Sequence, residues 1–123
     1  MKPGKKGLRR IADATRYSWQ GFLAAFRNEA AFRQELGLAV VAMPLAFWLS
    51  DSALQFLLLA VPLLLILLVE LANSAIESIV DRLGEEYHEL SGRAKDMGSA
   101  MVFVSLSIAA LSWFSVLAES WLW

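Results

Sequence analysis

Residues 53–82 read ALQFLLLAVPLLLILLVELANSAIESIVDR, and this stretch decides the fold. Residues 53–69 contain no charged side chain, and Glu70 is the first charge that follows them. As one helix, 30 residues extend about 45 Å, whereas the hydrocarbon core of a bilayer is about 30 Å thick. The stretch therefore predicts a membrane-crossing helix that projects from one side of the bilayer.

Glu70 opens a polar series that falls on one face of this predicted helix, because residues three or four apart share a helical face. Inserting a carboxylate into hydrocarbon costs about 2.5–3.5 kcal/mol, so such a residue is a functional hypothesis by default. The series consists of Glu70, Asn73, Ser74, Glu77 and Asp81. We expect this acidic face to hold a charged group at the membrane border.

Composition places the chain among membrane proteins. Apolar residues make up 58% of it and its mean hydropathy is +0.52, whereas a soluble domain of this size has too little interior to bury so many. A net charge of −1 excludes bulk electrostatic attraction to nucleic acid. The absence of cysteine excludes disulfides, thiolate metal sites and a cysteine nucleophile.

Three segments are long enough to cross a bilayer, which takes about 20 mostly apolar residues. They are residues 30–49, residues 53–82 and residues 97–117. The polar residues 50–52 form a short connection, which makes the first two segments antiparallel neighbours. A fourth segment, residues 8–27, has apolar side chains at three- and four-residue steps and basic ones opposite. That pattern predicts an amphipathic helix in the membrane interface.

The fold class is therefore an all-α membrane protein, with three membrane helices and one interfacial helix in a single domain, residues 1–123. The positive charges all fall before or at the start of the first span, or between the second and third spans. By the positive-inside rule, that side is cytoplasmic, as is the N-terminus, and the C-terminus lies outside. The acidic face then lies at the cytoplasmic interface.

Glu70 and Glu77 suit different tasks, because two helical turns separate their Cα atoms by about 10 Å. Mg²⁺ takes oxygen ligands and is usually bound by one or two carboxylates plus substrate phosphates. Glu77, one turn from Asn73 and nearer to water, suits a metal–nucleotide site. Glu70, at the lipid boundary, suits removal of a proton from the hydroxyl of a lipid.

The predicted loop 85–96 supplies His88, Arg93 and Lys95 beside this face, and the chain has neither GxxxxGK[ST] nor GxGxxG. Other interpretations stay open on the residues alone. Glu70 could be paired with an arginine across the bundle, His88 could be a solvent-exposed bystander, and the loop could be a solvated connector. We assign packing roles to the serines of the last span and to the prolines within the spans, which are Ser99, Ser105, Ser107, Ser112, Pro44 and Pro62.

Three motifs resemble the prokaryotic diacylglycerol kinases, small integral-membrane lipid kinases. They are NEAAFRQE at residues 28–35, ELANSAIE at residues 70–77 followed by Asp81 and Arg82, and EYHELSGRAKDMGSA at residues 86–100. The last motif is similar to that of the Gram-negative branch, whereas Gram-positive relatives act on undecaprenol. The resemblance covers nearly the whole chain and implies a homotrimer with composite active sites between subunits, in the inner membrane.

The resemblance also implies residue roles. Glu70 is the general base, with Asn73 and Lys95 as further catalytic residues, and Glu29 and Glu77 hold the Mg²⁺ that accompanies ATP. The positions that match nucleotide contacts are Arg10, Tyr17, Glu29, Glu77, Glu86, Tyr87, His88, Lys95 and Asp96. The positions that match lipid-substrate contacts are Arg10, Ala14, Ser18, Trp19, Ala31, Arg33, Glu35, Trp48, Glu70, Ser99 and Trp113.

The function implied is ATP-dependent phosphorylation of diacylglycerol to phosphatidic acid. Undecaprenol kinase is the sister hypothesis, with the same chemistry on a polyprenol. A proton- or cation-conducting oligomer with Glu70 as relay is a rival from another class, and it needs neither Asn73 with Glu77 nor the Lys95–Asp96 pair. A scaffold for other membrane proteins is a further rival, and it should tolerate neutralisation of both glutamates.

Overall fold

Four helices follow one another in a computed structural model of the chain, which describes residues 6–84, 86 and 88–122. They are α1 (Gly7–Asn28), α2 (Ala30–Leu49), α3 (Ala53–Arg82) and α4 (Glu89–Leu122). The helices α2, α3 and α4 are long and apolar enough to cross a membrane. The prediction of an all-α membrane protein with three such segments is confirmed, and α2 and α3 have the predicted bounds.

The last helix differs from its prediction at both ends. The segment predicted over residues 97–117 lies inside the longer helix α4, so the prediction of a loop over residues 89–96 is wrong. Local interactions explain the earlier start. His88 Nδ1 accepts from the backbone N–H of Leu90 at 3.1 Å, which caps the helix. Glu89 and Arg93, one turn apart, form an ion pair at 3.2 Å.

The chain bends between α1 and α2 at a single residue, Glu29, whose backbone is extended (φ −120°, ψ 107°). Arg33, in the first turn of α2, donates from Nη1 to the carbonyl oxygens of Phe26 at 2.7 Å and Arg27 at 3.3 Å. These are carbonyls of the last turn of α1, which have no partner within their own helix. Arg33 therefore ties the end of α1 to the start of α2.

Helix α1 is largely exposed in the single chain, and Ala25 is its one buried residue. The apolar side chains that the periodicity singles out remain exposed, with Leu8 at 85%, Ile11 at 62% and Trp19 at 64% of their surface. No other part of the described chain covers this apolar face.

The connection between α2 and α3 is a tight turn, as predicted. Ser52 caps α3, since its hydroxyl accepts from the backbone N–H of Gln55 at 3.1 Å. The Gln55 side chain in turn accepts from the backbone N–H of Asp51 at 2.8 Å. This reciprocal arrangement resembles a capping box and reverses the chain within three residues.

Small residues set the packing of the three long helices. One core cluster joins Ala39 and Ala42 of α2 to Leu63 of α3, and a second joins Ala46, Leu59 and Val116. Trp113 of α4 packs against both clusters. Alanines allow helix backbones to approach closely, which is how helices in a membrane gain van der Waals contact.

The hydroxyl of Ser112 on α4 explains how α3 continues through Pro62. Proline has no N–H, so the carbonyl of Leu58, four residues earlier, lacks its helical donor. Ser112 Oγ donates to that carbonyl oxygen, and Trp113 Nε1 donates to the next one, of Leu59, at 2.9 Å. Unlike Ser112, Ser105 and Ser107 bond to carbonyls of their own helix.

We expect Ser112→Ala to destabilise the fold by about 1–2 kcal/mol, because it leaves the Leu58 carbonyl without a donor at a depth where no water reaches it. In a Pro62→Ala background the same substitution should cost much less, since residue 62 then supplies an N–H. Unfolding in detergent would measure both. Ser107→Ala is the matched control, and an equal cost of Ser112→Ala in both backgrounds would contradict the assignment.

Candidate active site

The polar face of α3 carries a buried carboxyl group at its apolar end. Glu70 keeps 4% of its surface exposed, and Asn73 and Ser74, one turn further along, are also buried. Glu77, one turn beyond them, is half-exposed. The predicted increase in solvent exposure from Glu70 to Glu77 along α3 is therefore present in the single chain.

The carboxyl groups of Glu70 and of Glu35 on α2 lie next to each other, close enough to share a hydrogen bond. One oxygen of Glu35, Oε2, is buried, and no hydrogen-bond donor of the described chain reaches it. Two ionised carboxylates are both acceptors, so a hydrogen bond between Glu35 and Glu70 requires one proton on the pair. The alternative that Glu70 pairs with an arginine is not realised among the described residues, where the ion pairs involve Asp13, Asp81 and Glu89 instead.

Asn73 links the two glutamates of the α3 face. Its Nδ2 donates to Glu77 Oε1 at 3.3 Å, which restrains the direction in which that carboxylate points. The amide lies between Glu70 and Glu77 in sequence and bonds only to the latter in the described chain. The two carboxylates thus have different neighbours, Glu35 for Glu70 and Asn73 for Glu77.

Glu29 stands at the bend between α1 and α2 with its side chain free of any capping bond. It borders a cleft of about 250 Å³ between α1 and α3, to which Ser74 and Ser78 also contribute. Glu29 and Glu77 both lie within electrostatic range of Glu70. All three carboxylates therefore belong to one acidic region.

This region fits a divalent ion that takes only part of its coordination from protein. Among the described residues, no three acidic or histidine side chains come close enough to form a complete cage. Glu29 and Glu77 offer carboxylate oxygens, the hard donors that Mg²⁺ prefers, and Mg²⁺ usually keeps waters and substrate phosphates as its other ligands.

A second cleft, of about 520 Å³, lies between the end of α3 and the start of α4. Its lining includes Glu86, His88 and Lys95 from the predicted nucleotide contacts, together with Asp81. Lys95 Nζ lies 2.8 Å from Asp81 Oδ1, in an ion pair whose two side chains are well exposed. The cleft thus presents an ammonium group and several hydrogen-bonding groups on the same helices as the acidic face.

Comparison with known proteins identifies the family of the chain. The sequence pattern of prokaryotic diacylglycerol kinase matches residues 16–117. The chain belongs to the prokaryotic diacylglycerol kinase family. The resemblance seen in the motifs is confirmed, and the match contains every candidate site residue except Arg10 and Ala14.

Curated members of the family are similar over almost their whole length. The chain is 54% identical over 114 residues to the diacylglycerol kinase of Pseudomonas aeruginosa, covering 93% of each protein. It is 50% identical over 113 residues to that of Escherichia coli strain K12, covering 92% of this chain and 93% of the relative. For the Haemophilus influenzae enzyme the identity is 48% over 111 residues, covering 90% and 94%.

The remaining positions suggested by the family resemblance are spread over the molecule. On α1 lie Arg10, Ala14, Tyr17, Ser18 and Trp19. This helix packs mainly on α2, whereas α3 and α4 build the larger cleft. Neither Arg10 nor Tyr17 lines that cleft in the single chain. Tyr87 lies outside the described residues, and Asp96 is exposed next to Lys95.

The positions matched to lipid contacts extend along the full height of α2. Ala31, Arg33 and Glu35 lie in its first turns, but Trp48 lies at the opposite end, about 20 Å further along the helix, with 78% of its surface exposed. Ser99 is exposed on α4, and Trp113 donates to the Leu59 carbonyl of α3. The single chain does not gather these residues into one pocket.

Two contacts of the site were not predicted from the residues. Glu35 was matched to a lipid contact, whereas its carboxyl group lies against that of Glu70. Asp81 was placed on the polar face without a partner, whereas it pairs with Lys95. Position 81 lies on the same helical face as Glu77, which was a usable signal. The Glu35 contact depends on how α2 docks against α3, and no local pattern encodes that.

Proposed function

We propose that the chain transfers the γ-phosphoryl group of ATP to the hydroxyl of diacylglycerol and releases phosphatidic acid and ADP. The hydroxyl oxygen forms the new bond to phosphorus, the bond to the ADP oxygen breaks, and the hydroxyl proton leaves to a base. The observation that carries the proposal is the buried Glu70 carboxyl at the apolar end of a face that also holds Asn73 and Glu77. The curated relatives, all named diacylglycerol kinase, support it.

Glu70 takes the proton of the lipid hydroxyl. A base must be ionised before it accepts a proton, so the proton that the Glu35–Glu70 contact requires resides on Glu35 at that stage. Glu35 then donates to Glu70 and keeps its reactive oxygen oriented while water is excluded. In this scheme Glu35 is a positioning residue for the base, a role that goes beyond the lipid contact implied by its family match.

The nucleotide lies at the cytoplasmic end of α3 and α4. Lys95, near Asp81 in the larger cleft, stabilises negative charge on the transferring phosphoryl group, and Asn73 keeps Glu77 directed toward the nucleotide. Glu29 and Glu77 hold the divalent ion, which supplies compensation for the charge of the ATP phosphates when bound. His88 and Glu86 border the same cleft, which supports nucleotide contacts there.

The membrane arrangement follows the charge pattern. The side with the basic residues is the cytoplasmic side, and α1 lies in that interface with its exposed apolar face toward lipid. We infer a homotrimer, in which residues that are scattered in the single chain, such as Arg10 and Trp48, complete sites with neighbouring subunits. The inner membrane is the location that this topology and the bacterial relatives support.

Purified protein in mixed micelles should transfer radiolabel from ATP to diacylglycerol in the presence of Mg²⁺, and EDTA should abolish transfer. Undecaprenol, tested as the acceptor in the same assay, distinguishes an undecaprenol kinase from a diacylglycerol kinase. Preferential labelling of undecaprenol would contradict the proposed substrate. Ion flux from vesicles without ATP, combined with no labelling of either lipid, would favour the conducting oligomer.

Replacing Glu70 by glutamine should lower turnover by about 100-fold or more, because an amide cannot accept the hydroxyl proton. The fold should persist, since the side chain keeps its shape and still accepts from Glu35. Circular dichroism and gel filtration check the fold, and a radiolabel assay gives turnover. Glu119→Gln, at the far end of α4, is the control. Full activity of the Glu70 variant would remove this residue from the base role.

Glu35→Gln should retain most of the turnover, because a neutral amide still donates a hydrogen bond to ionised Glu70. Glu35→Ala should lower turnover about 10- to 100-fold, which corresponds to one lost bond to a charged group. The KM for ATP should change little in both variants. If the glutamine variant proves as slow as the alanine variant, donation to Glu70 is not what Glu35 contributes.

A further inference from the structure

The two polar atoms of the Asn73 carboxamide, Nδ2 and Oδ1, have different surroundings. On one side Nδ2 donates to Glu77 Oε1 at 3.3 Å. On the other side Oδ1 is buried and accepts no conventional hydrogen bond within the described chain. A buried acceptor without a donor is uncommon in folded proteins, so the surroundings of this oxygen call for a physical reason.

Gly98 of α4 supplies that reason. A Cβ built on Gly98 would lie 2.1 Å from Asn73 Oδ1 and 3.2 Å from Asn73 Cγ. The first distance is far shorter than any non-bonded contact, so only a hydrogen atom fits in that direction. The Cα–H of Gly98 therefore faces Oδ1, and weak Cα–H···O contacts of this kind recur where helices approach closely.

The two ends of the carboxamide move together because the amide is planar. Any rotation that carries Oδ1 away from a side chain at position 98 also turns Nδ2 relative to Glu77. The hydrogen bond from Asn73 to Glu77 therefore depends on the absence of a side chain at position 98 of α4. Gly98 is itself buried, so α4 cannot relieve the contact by exposing it to solvent.

We propose that Gly98 is a positioning residue for the metal–nucleotide site. Because Gly98 has no side chain, the Asn73 carboxamide packs directly against α4, and this contact keeps Asn73 Nδ2 directed toward Glu77. This inference rests on the proposed function only for the identity of the ligand that Glu77 binds. Gly98 touches neither that ligand nor the carboxylate, and it acts through Asn73.

General helix packing does not account for this position. The helical glycines Gly21 on α1 and Gly37 on α2 have no atom within 4 Å of a built Cβ. Gly37→Ala is thus a matched control, the same substitution within a helix but into open space. Alanine is the better helix former, so any loss seen at position 98 and not at position 37 reflects the local contact.

The steric part of the proposal can be tested without activity. Gly98→Ala should lower the unfolding temperature of the full chain in detergent, and Gly37→Ala should not. In an Asn73→Ala background the clash disappears, since the next atom is the Cβ of residue 73 at 3.9 Å, an ordinary contact. Gly98→Ala should then be tolerated. If Gly98→Ala alone does not fold, recovery of folding in the double variant supports the proposal equally.

The positioning part is tested by binding of Mn²⁺ together with a non-hydrolysable ATP analogue, followed by the electron paramagnetic resonance of Mn²⁺. Gly98→Ala should weaken binding roughly 10-fold, as loss of a residue that orients a metal ligand typically does, and should raise the KM for ATP more than it lowers kcat. Gly37→Ala should bind as the parent protein does.

Two results would overturn the inference: equal destabilisation by Gly98→Ala in both backgrounds, or Mn²⁺–nucleotide binding equal to that of the parent protein. Failure of the proposed function looks different. In that case the parent protein itself would not phosphorylate diacylglycerol, whatever the behaviour of the position 98 variants.

Discussion

The close approach of the Glu35 and Glu70 carboxyl groups is the contact on which the rest of the site depends. It joins α2 to α3 where α3 passes from apolar residues to polar ones, and it leaves Glu70 almost fully buried. A carboxyl group held away from water must find its partner within the protein. A second carboxyl can serve as that partner only when one of the two carries a proton, which is the state that the proposed mechanism uses.

In the proposed reaction, helix α3 connects the lipid and the nucleotide, because it is longer than the hydrocarbon is thick. Its apolar part packs against α2 and α4, and its last turns carry Asn73, Glu77 and Asp81 toward water. Three polar side chains of that part lie against different partners: Glu70 against Glu35 of α2, Asn73 against Gly98 of α4, and Asp81 against Lys95 of α4. Helix α3 thus presents different polar groups at successive depths in the membrane. A reaction between a membrane alcohol and water-soluble ATP requires such an arrangement.

The packing of α4 on α3 also reconciles a helix-breaking residue with a continuous helix. Pro62 removes one N–H, and Ser112 donates to the carbonyl left without a partner. In lipid no water would meet that carbonyl. The serine and the proline are 50 residues apart, so nothing near Pro62 indicates its partner. The sequence interpretation of both residues as packing elements was correct in kind but did not pair them.

Sequence alone determined the number and order of the helices, the bounds of α2 and α3, the acidic face and the family, because long apolar runs and helical periodicity are local properties of the chain. It failed where a local cap extended α4 over residues 89–96. Tertiary structure decided that Glu35 contacts Glu70, that Lys95 pairs with Asp81 and that Asn73 packs against the Cα of Gly98. These contacts depend on the depth and rotation at which one helix docks against another, which the composition of neither helix specifies.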